Sequence, residues 1–179
     1  MVDGVSAMMG LIHTFNARGK WSENRASNLL DGGAPFYRCY RTKDNLFMSV
    51  GPLEPQFFAL LLEKASLPAE HGMDQNDPAN WEERAELYAQ AFTRRTQAEW
   101  SEIFSGTDAC VAPVLSMIEA AAHPHIAARK TLVEVNGVLQ ASPAPRFSRS
   151  ISTEINTPRA VGGDTADIRE ELNEAPKAE

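Results

Sequence analysis

The sequence predicts an α+β fold in which a short antiparallel sheet packs against helices. Residues 36–40 and 46–50 are rich in aromatic and apolar side chains and flank the turn Lys43-Asp44-Asn45, which is typical of a β-hairpin. Farther along the chain, a proline at a predicted first helical position and two capping boxes mark the starts of helices. With 179 residues, of which 43 % are hydrophobic, the chain is long enough to bury a core.

The first 15 residues predict an amphipathic helix, because apolar side chains recur there at helical spacing. Residues 16–30 are polar without a strong period, so we interpret them as a linker or arm. We expect residues 1–30 to be a remnant helix and linker of another domain, and the helix to associate with a partner. Its apolar face is formed by Val5, Met8, Met9 and Ile12.

Residues 31–120 are predicted to form one compact α+β unit. After the hairpin, Glu54-Pro55 starts a helix that continues to about Ser66, because proline is favoured at the first helical position, where its missing N–H would be unpaired anyway. Residues 110–115 predict a further strand. The core positions that we predict in this unit are Phe57, Leu61, Val111 and Val114.

Two capping boxes mark later helices. In Thr96-x-x-Glu99 and in Ser116-x-x-Glu119, a hydroxyl and a carboxylate lie three residues apart, where each can bond the backbone N–H of the other residue. A helix over residues 79–93 precedes the first box. Together with the helix that starts at Glu54-Pro55, the helix over residues 79–93 and the helix at Thr96 give the unit three predicted helices before its strand at residues 110–115.

Beyond residue 120 the pattern changes. Asn136-Gly137 between two short apolar segments predicts a hairpin with a type I′ turn. We interpret residues 121–163 as a return linker that contains this hairpin, with residues 141–163 forming an extended, Pro- and Ser-rich connection. Residues 164–179 carry six acidic side chains, so we expect a mobile acidic tail.

The charge balance and the missing signals restrict the partners and the location. A net charge of −7 disfavours nucleic acid and anionic membranes as partners. The chain has no apolar run of the ~20 residues that span a bilayer, and its N-terminal segment has no signal-peptide pattern. We expect Cys39 and Cys110 to be buried free thiols in a reducing, cytoplasmic compartment.

Several catalytic and metal-binding motifs are missing from the sequence. It contains no Gly-rich phosphate loop, no CxxC pair and no HExxH, so we expect neither a metal nor a cofactor. His123-Pro-His125 is interpreted as a helix-entry turn rather than a metal site, because a proline separates the histidines and no thiolate is near. Ser148 lacks a GxSxG context, so nucleophilic catalysis has no support.

The position of Glu54 in the chain makes it a candidate site residue. It lies between the end of a predicted strand and Pro55 at the start of a helix. The helix dipole favours its carboxylate form there, whereas a nearby apolar pocket would oppose it by desolvation. Capping of the helix is the alternative role, although glutamate is a weaker N-cap than Asp, Asn, Ser or Thr. Position alone leaves both roles open.

Three blocks of sequence stand out: NLLDGGAPFYRCYRTKDNLFMSVGPLEPQFFALLLE, TDACVAPVLSMIEAAAHPH and PAPRFSRS. They resemble the α-methylacyl-CoA racemases, which belong to the class III CoA-transferase (CaiB/BaiF) family. The opening VDGVSAMM also resembles a family helix at the end of the large domain. The blocks occur in order over residues 1–150, which is more specific than any single short motif.

The resemblance implies a long enzyme with a Rossmann-like large domain and a small α+β domain, two of whose chains interlock as a dimer. It implies that Glu54 pairs with a catalytic histidine of the large domain, and that the substrate is an acyl-CoA thioester without a further cofactor. The positions that match the family's acyl pocket are Leu30, Tyr37 and Leu53.

The segment that carries the family's catalytic histidine and aspartate finds no match in this chain, and Met1 aligns inside the family sequence. We therefore expect a truncated, excised or split racemase of lipid metabolism that is inactive by itself. Its partner would be a second copy, in a homo-oligomer, or a separate large domain. A fragment of a class III CoA-transferase and a non-enzymatic assembly module stay open. The glutamate in GPLEPQ favours the racemase, because the transferases typically have a glycine-rich loop there.

Overall fold

The computed structural model describes residues 1–150, 157 and 159–174. The chain divides into two compact units, Met1–Val114 and Leu115–Glu179. The first contains a three-stranded sheet, and the second contains a two-stranded one. Short antiparallel sheets with helices confirm the predicted α+β class.

The first unit opens with two short helices, α1 (Val2–Met8) and α2 (Gly10–Ala17), which together take the place of the single predicted helix. Neither helix contains a buried residue. Val5 and Met8, on the predicted apolar face, are 58 % and 85 % exposed. The assignment of residues 1–30 to a large domain and of residues 31–120 to a small domain stays a prediction.

The sheet of the first unit has the order β1 (Arg38–Arg41), β2 (Phe47–Val50) and β3 (Val111–Pro113), and both strand pairs are antiparallel. In the loop between β1 and β2, the Thr42 N–H donates to the Leu46 carbonyl, which closes the predicted hairpin. Tyr40, Met48 and Val50 face the core, since successive side chains of a strand point to opposite faces.

Three helices share a core with this sheet: α3 (Pro55–Lys64), α4 (Trp81–Phe92) and α5 (Gln97–Phe104). Short 3₁₀ segments at Ala69–Gly72 and Pro78–Asn80 lie in the polar loop before α4. The three helices form near the predicted positions, and α5 begins at the predicted capping box. Each helix buries a stripe of large apolar side chains toward the sheet.

The core of the first unit is predominantly aromatic. The Tyr40 and Phe92 rings stack with centroids 5.1 Å apart, and Phe36 meets Phe58 edge to face at 5.5 Å. Such pairs stabilise a core beyond the effect of area burial. The largest fully buried apolar side chains are Tyr88, Phe36, Phe58, Phe92, Met48 and Leu61.

The predicted core positions are only partly right. Leu61 is fully buried, as predicted, whereas Phe57 and Val111 are half-buried. The prediction for Val114 is wrong, because this side chain is 44 % exposed. Val114 lies three residues after Val111, and strand alternation places the two side chains on opposite faces of the sheet.

The two thiols were also misplaced by the sequence-based prediction, since Cys39 and Cys110 are both exposed. Cys39 pairs with Ser49 on the outer face of the sheet, next to Tyr40, which takes the inward position. Cys110 directly precedes β3 and has the left-handed φ of 52°. Small apolar neighbours in sequence do not specify which face of a sheet a cysteine occupies.

The second unit contains α6 (Met117–Ala122), α7 (Pro124–Arg129), β4 (Leu132–Val135) and β5 (Val138–Ala141). Between these strands Asn136 and Gly137 have φ values of 51° and 76°, which confirms the predicted type I′ turn. The second capping box is also confirmed at the start of α6.

The first part of the predicted acidic tail forms a helix, α8 (Thr165–Glu174), and the mobility of the tail stays a prediction. Arg159 forms ion pairs with Asp164 and Asp167 beside the first turn of α8, where acidic side chains favour a helix. Of the predicted extended connection, residues 151–156 and 158 lie outside the described residues.

Candidate functional site

The candidate site is the turn between β2 and α3. The Gly51 N–H donates to the Cys110 carbonyl at 3.0 Å, which ties the turn to the start of β3. Pro52 is fully buried, whereas Leu53 and Glu54 are exposed. The chain therefore anchors the first half of the turn and presents the second half to the surface.

Glu54 begins α3 through its backbone and not through its side chain. Its carbonyl accepts from the N–H groups of Phe57 and Phe58 at 3.1 and 3.0 Å. Its side chain makes no capping hydrogen bond, and Pro55 occupies the first helical position, where no N–H is needed. The structural alternative, in which the Glu54 carboxylate caps the helix, is therefore wrong.

A thiol lies in the electrostatic field of Glu54. The pKa of Cys110 is raised, first because the thiol is partly desolvated and then because the carboxylates of Glu54 and Asp108 disfavour a thiolate. The Sγ atom of Cys110 donates weakly to the Asp108 carbonyl at 3.6 Å. Cys110 therefore stays a neutral thiol beside the negative charge of Glu54. Its position at the site was not predicted from the sequence.

Of the three predicted acyl-pocket residues, two lie at this turn. Leu53 is adjacent to Glu54 in the chain and is 36 % exposed. The Tyr37 ring lies against Gly51, since a Cβ placed on that glycine would be 3.8 Å from the ring. Both side chains therefore offer partly exposed apolar surface at this turn.

Leu30 lines a separate cavity of about 700 Å³ within the first unit. Glu54, Tyr37 and Leu53 are not part of its lining. The structure thus brings Tyr37, Leu53 and Glu54 to one turn, and it places Leu30 in the lining of this cavity. The aromatic side chains that line the cavity are Phe15, Trp21 and Trp81.

Among the described contacts of the first unit, neither of its two histidines is hydrogen-bonded to Glu54. In the first unit, His13 is exposed, and His71 Nδ1 lies 3.1 Å from the Tyr88 hydroxyl. Partial burial and then the charge of Arg84 lower the pKa of His71, which favours a neutral ring. In the second unit, His123 lies between α6 and α7, as the interpretation of a helix-entry turn predicted.

Metal ligands are not assembled in the described residues, since no group of three or more His, Cys, Asp or Glu side chains could hold an ion there. Across the same residues, no helix combines the length and the apolar character that crossing a membrane requires. The chemistry that the site offers is that of one carboxylate, which can accept a proton or orient a partner that carries one.

A buried glutamine beneath the turn was missed by the sequence reasoning. Gln75 lies in the polar loop before α4, and its side-chain amide donates to the carbonyls of Pro52 and Leu53. No sequence signal identifies it, because a glutamine in a polar loop is ordinarily exposed.

Comparison with known proteins gives consistent matches. The family described as CoA-transferase family III matches residues 1–164. The chain is 42 % identical over 151 residues to a Mus musculus protein named alpha-methylacyl-CoA racemase, over 84 % of this chain and 40 % of that protein. A Homo sapiens protein of the same name is 42 % identical over 125 residues, which are 70 % of this chain and 33 % of that protein.

A solved structure shares the fold. The crystal structure of a CAIB/BAIF family protein from Brucella suis superposes with a TM-score of 0.59 at 20 % identity. The superposition covers 93 % of this chain and 45 % of that chain. The chain therefore spans less than half the length of these relatives.

Proposed function

The chain belongs to CoA-transferase family III, as its resemblance to that family predicted, and on this premise we propose that it contributes to the epimerisation of 2-methylacyl-CoA thioesters. The proposal rests on the name alpha-methylacyl-CoA racemase, which two relatives share at 42 % identity to this chain. The free Glu54 carboxylate at the turn before α3 supports it. The substrate would be an acyl-CoA thioester, with no separate cofactor.

Inversion at the carbon next to a thioester removes a proton on one face and returns one on the other. Such a reaction needs two positioned proton carriers, together with donors that stabilise charge on the thioester oxygen. We propose that Glu54 orients a histidine that removes or returns the proton, as the resemblance implies. Tyr37 and Leu53, which present partly exposed apolar surface at the same turn, would contact the acyl chain.

This chain would supply one part of that site, and we propose that it is inactive by itself. The histidine and the second proton carrier would come from a large domain, in the same protein or in a second copy. The exposed apolar side chains of α1 and α2 support an assembly of this kind, since apolar surface is costly to leave in water.

A chimera tests the proposal. The matching segment of this chain replaces the 151 aligned residues of the mouse relative, and exchange of the α-proton of a 2-methylacyl-CoA with solvent deuterium is measured. We expect exchange by the chimera and none by the isolated chain. A folded chimera without exchange would contradict the proposal, as would robust exchange by the isolated chain.

The same proteins separate the two alternatives. A class III CoA-transferase would move CoA from a thioester to a free carboxylic acid without exchanging the α-proton. An assembly module would support neither reaction. Both assays are therefore run on one preparation, and CoA transfer without α-proton exchange would contradict the proposed epimerisation.

A further inference from the structure

The turn that carries Glu54 is held from below by one buried side chain. The Nε2 atom of Gln75 donates to the Pro52 carbonyl at 3.1 Å and to the Leu53 carbonyl at 3.2 Å. Gln75 is 5 % exposed, so these bonds are shielded from water. Both amide hydrogens are used, and both acceptors belong to the two residues that directly precede Glu54.

Gln75 is itself fixed by α4. The indole Nε1 of Trp81 donates to the Gln75 carbonyl at 3.1 Å. The guanidinium of Arg84, one turn further along α4, forms an ion pair with Asp74 and donates to the Asp74 carbonyl at 3.3 Å. Helix α4 therefore fixes the loop that contains Gln75, and Gln75 in turn fixes the turn before Glu54. Supporting residues keep a functional group in place in this way.

From this chain of contacts we infer that Gln75 is a positioning residue for Glu54, an inference that rests on the proposed function. The bonds to the Pro52 and Leu53 carbonyls, and the restriction that Pro55 places on the backbone of Glu54, reduce the motion of the carboxylate largely to rotation about its own side-chain bonds. A proton carrier paired with Glu54 then meets the carboxylate at one position. Gln75 touches neither substrate nor proton, and acts through Glu54.

The molecule contains a matched control for this role. Gln97 is 8 % exposed, and its Nε2 atom likewise donates to two carbonyls, those of Phe47 at 2.7 Å and Val114 at 3.0 Å. Phe47 is the first residue of β2, whereas the Glu54 turn follows Val50, the last residue of that strand. The two carbonyls that Gln97 bonds therefore lie at the opposite end of β2 from the turn. Gln75→Met and Gln97→Met therefore remove the same kind of buried bond pair at different places.

The first measurement is amide hydrogen exchange on the chain itself. The Phe57 and Phe58 amides, which bond to the Glu54 carbonyl, report on the turn, and the Val114 amide, which bonds to the Phe47 carbonyl, reports on the control region. We expect Gln75→Met to speed exchange at Phe57 and Phe58 roughly tenfold or more, since two buried hydrogen bonds are lost. Gln97→Met should speed exchange at Val114 and leave Phe57 and Phe58 unchanged.

The second measurement is the rate of α-proton exchange by the chimera with the mouse relative. We expect Gln75→Met to lower kcat on the order of 10²-fold with little change in KM, because a small displacement of a reacting group costs about that much. Gln97→Met should leave kcat within about threefold of the parent chimera, because losses at remote and independent sites do not couple. Gln75→Leu, which is also apolar and lacks the amide donors, should act as Gln75→Met does, and it replaces that variant if the methionine fails to fold.

The two measurements separate two kinds of failure. Equal loss of kcat in Gln75→Met and Gln97→Met would overturn the positioning role, and so would unchanged amide exchange at Phe57 and Phe58 in Gln75→Met. If the parent chimera exchanges no α-proton, the proposed function fails instead. In that case the amide exchange alone decides whether Gln75 holds the turn that carries Glu54.

Discussion

Two helices of the first unit begin in opposite ways. At the start of α5, the Thr96 side chain accepts from the Glu99 N–H at 3.3 Å, and the Glu99 carboxylate accepts from the Thr96 N–H at 2.7 Å. At the start of α3, the Glu54 side chain makes no capping bond, and Pro55 removes one donor that would need a partner. Acidic side chains near a helix start can thus serve the fold, as Glu99 does, or stay available for another task, as Glu54 does.

Because α3 has no side-chain cap, burial of its apolar side chains should anchor it. A change to that burial should give the largest stability effect. Leu61 is fully buried on the core face of α3, so Leu61→Ala should lower the free energy of unfolding by about 2–5 kcal/mol. Denaturant unfolding of the isolated chain measures it. Leu60→Ala, at a half-buried position of the same helix, should cost clearly less, and equal losses would show that burial is not what anchors α3.

A smaller loss is expected at the start of α5. Thr96→Ala removes the hydroxyl of the capping box and should lower the free energy of unfolding by about 1 kcal/mol. Thr96→Ser keeps the hydroxyl and should retain most of the stability. If Thr96→Ser is as unstable as Thr96→Ala, the hydroxyl does not cap α5. The contrast between the starts of α5 and α3 would then be wrong.

The pH dependence of stability sharpens the same contrast. The backbone N–H of Thr96 and then its hydroxyl hold the pKa of Glu99 below the ordinary glutamate value of 4.5. A lowered folded-state pKa stabilises the fold above 4.5, and this contribution is lost as pH falls through the lower value. Glu99→Gln should therefore be less stable than the parent at neutral pH and approach it in acid. A stability difference that does not change with pH would refute this origin.

The smallest stability effect should come from Glu54→Gln. Because the Glu54 side chain makes no capping bond and is exposed, the free energy of unfolding should change by no more than about 0.5 kcal/mol. Thermal and denaturant unfolding both measure it. A loss near 1 kcal/mol, as for Thr96→Ala, would return Glu54 to the role of a helix cap.

Sequence reasoning succeeded where the signal is local. The capping box of Thr96 and Glu99 and the type I′ turn at Asn136-Gly137 depend on residues a few positions apart, and the structure confirms both. It also identified the exposed turn of Glu54. Short-range hydrogen bonding and backbone preference specify these features without tertiary information.

It failed where a side chain's environment depends on distant segments. The outward positions of Val114 and Cys39 follow from which face of the sheet the helices cover, and that is set by packing. Gln75 acquires its role through carbonyls more than 20 residues away in sequence. Leu30 is grouped with Tyr37 and Leu53 by resemblance alone, and its place in an acyl pocket stays a prediction.

The most direct test of the central claim compares two glutamates near α3 in the chimera with the mouse relative. Glu54→Gln removes the free carboxylate at the helix start, and Glu63→Gln removes an exposed carboxylate near the other end of the same helix. We expect α-proton exchange to fall on the order of 10²-fold in Glu54→Gln, because a small displacement of the histidine that Glu54 orients costs about that much. Glu63→Gln should exchange at the parent rate. Equal exchange by both variants and the parent would contradict the claim that Glu54 is kept for function.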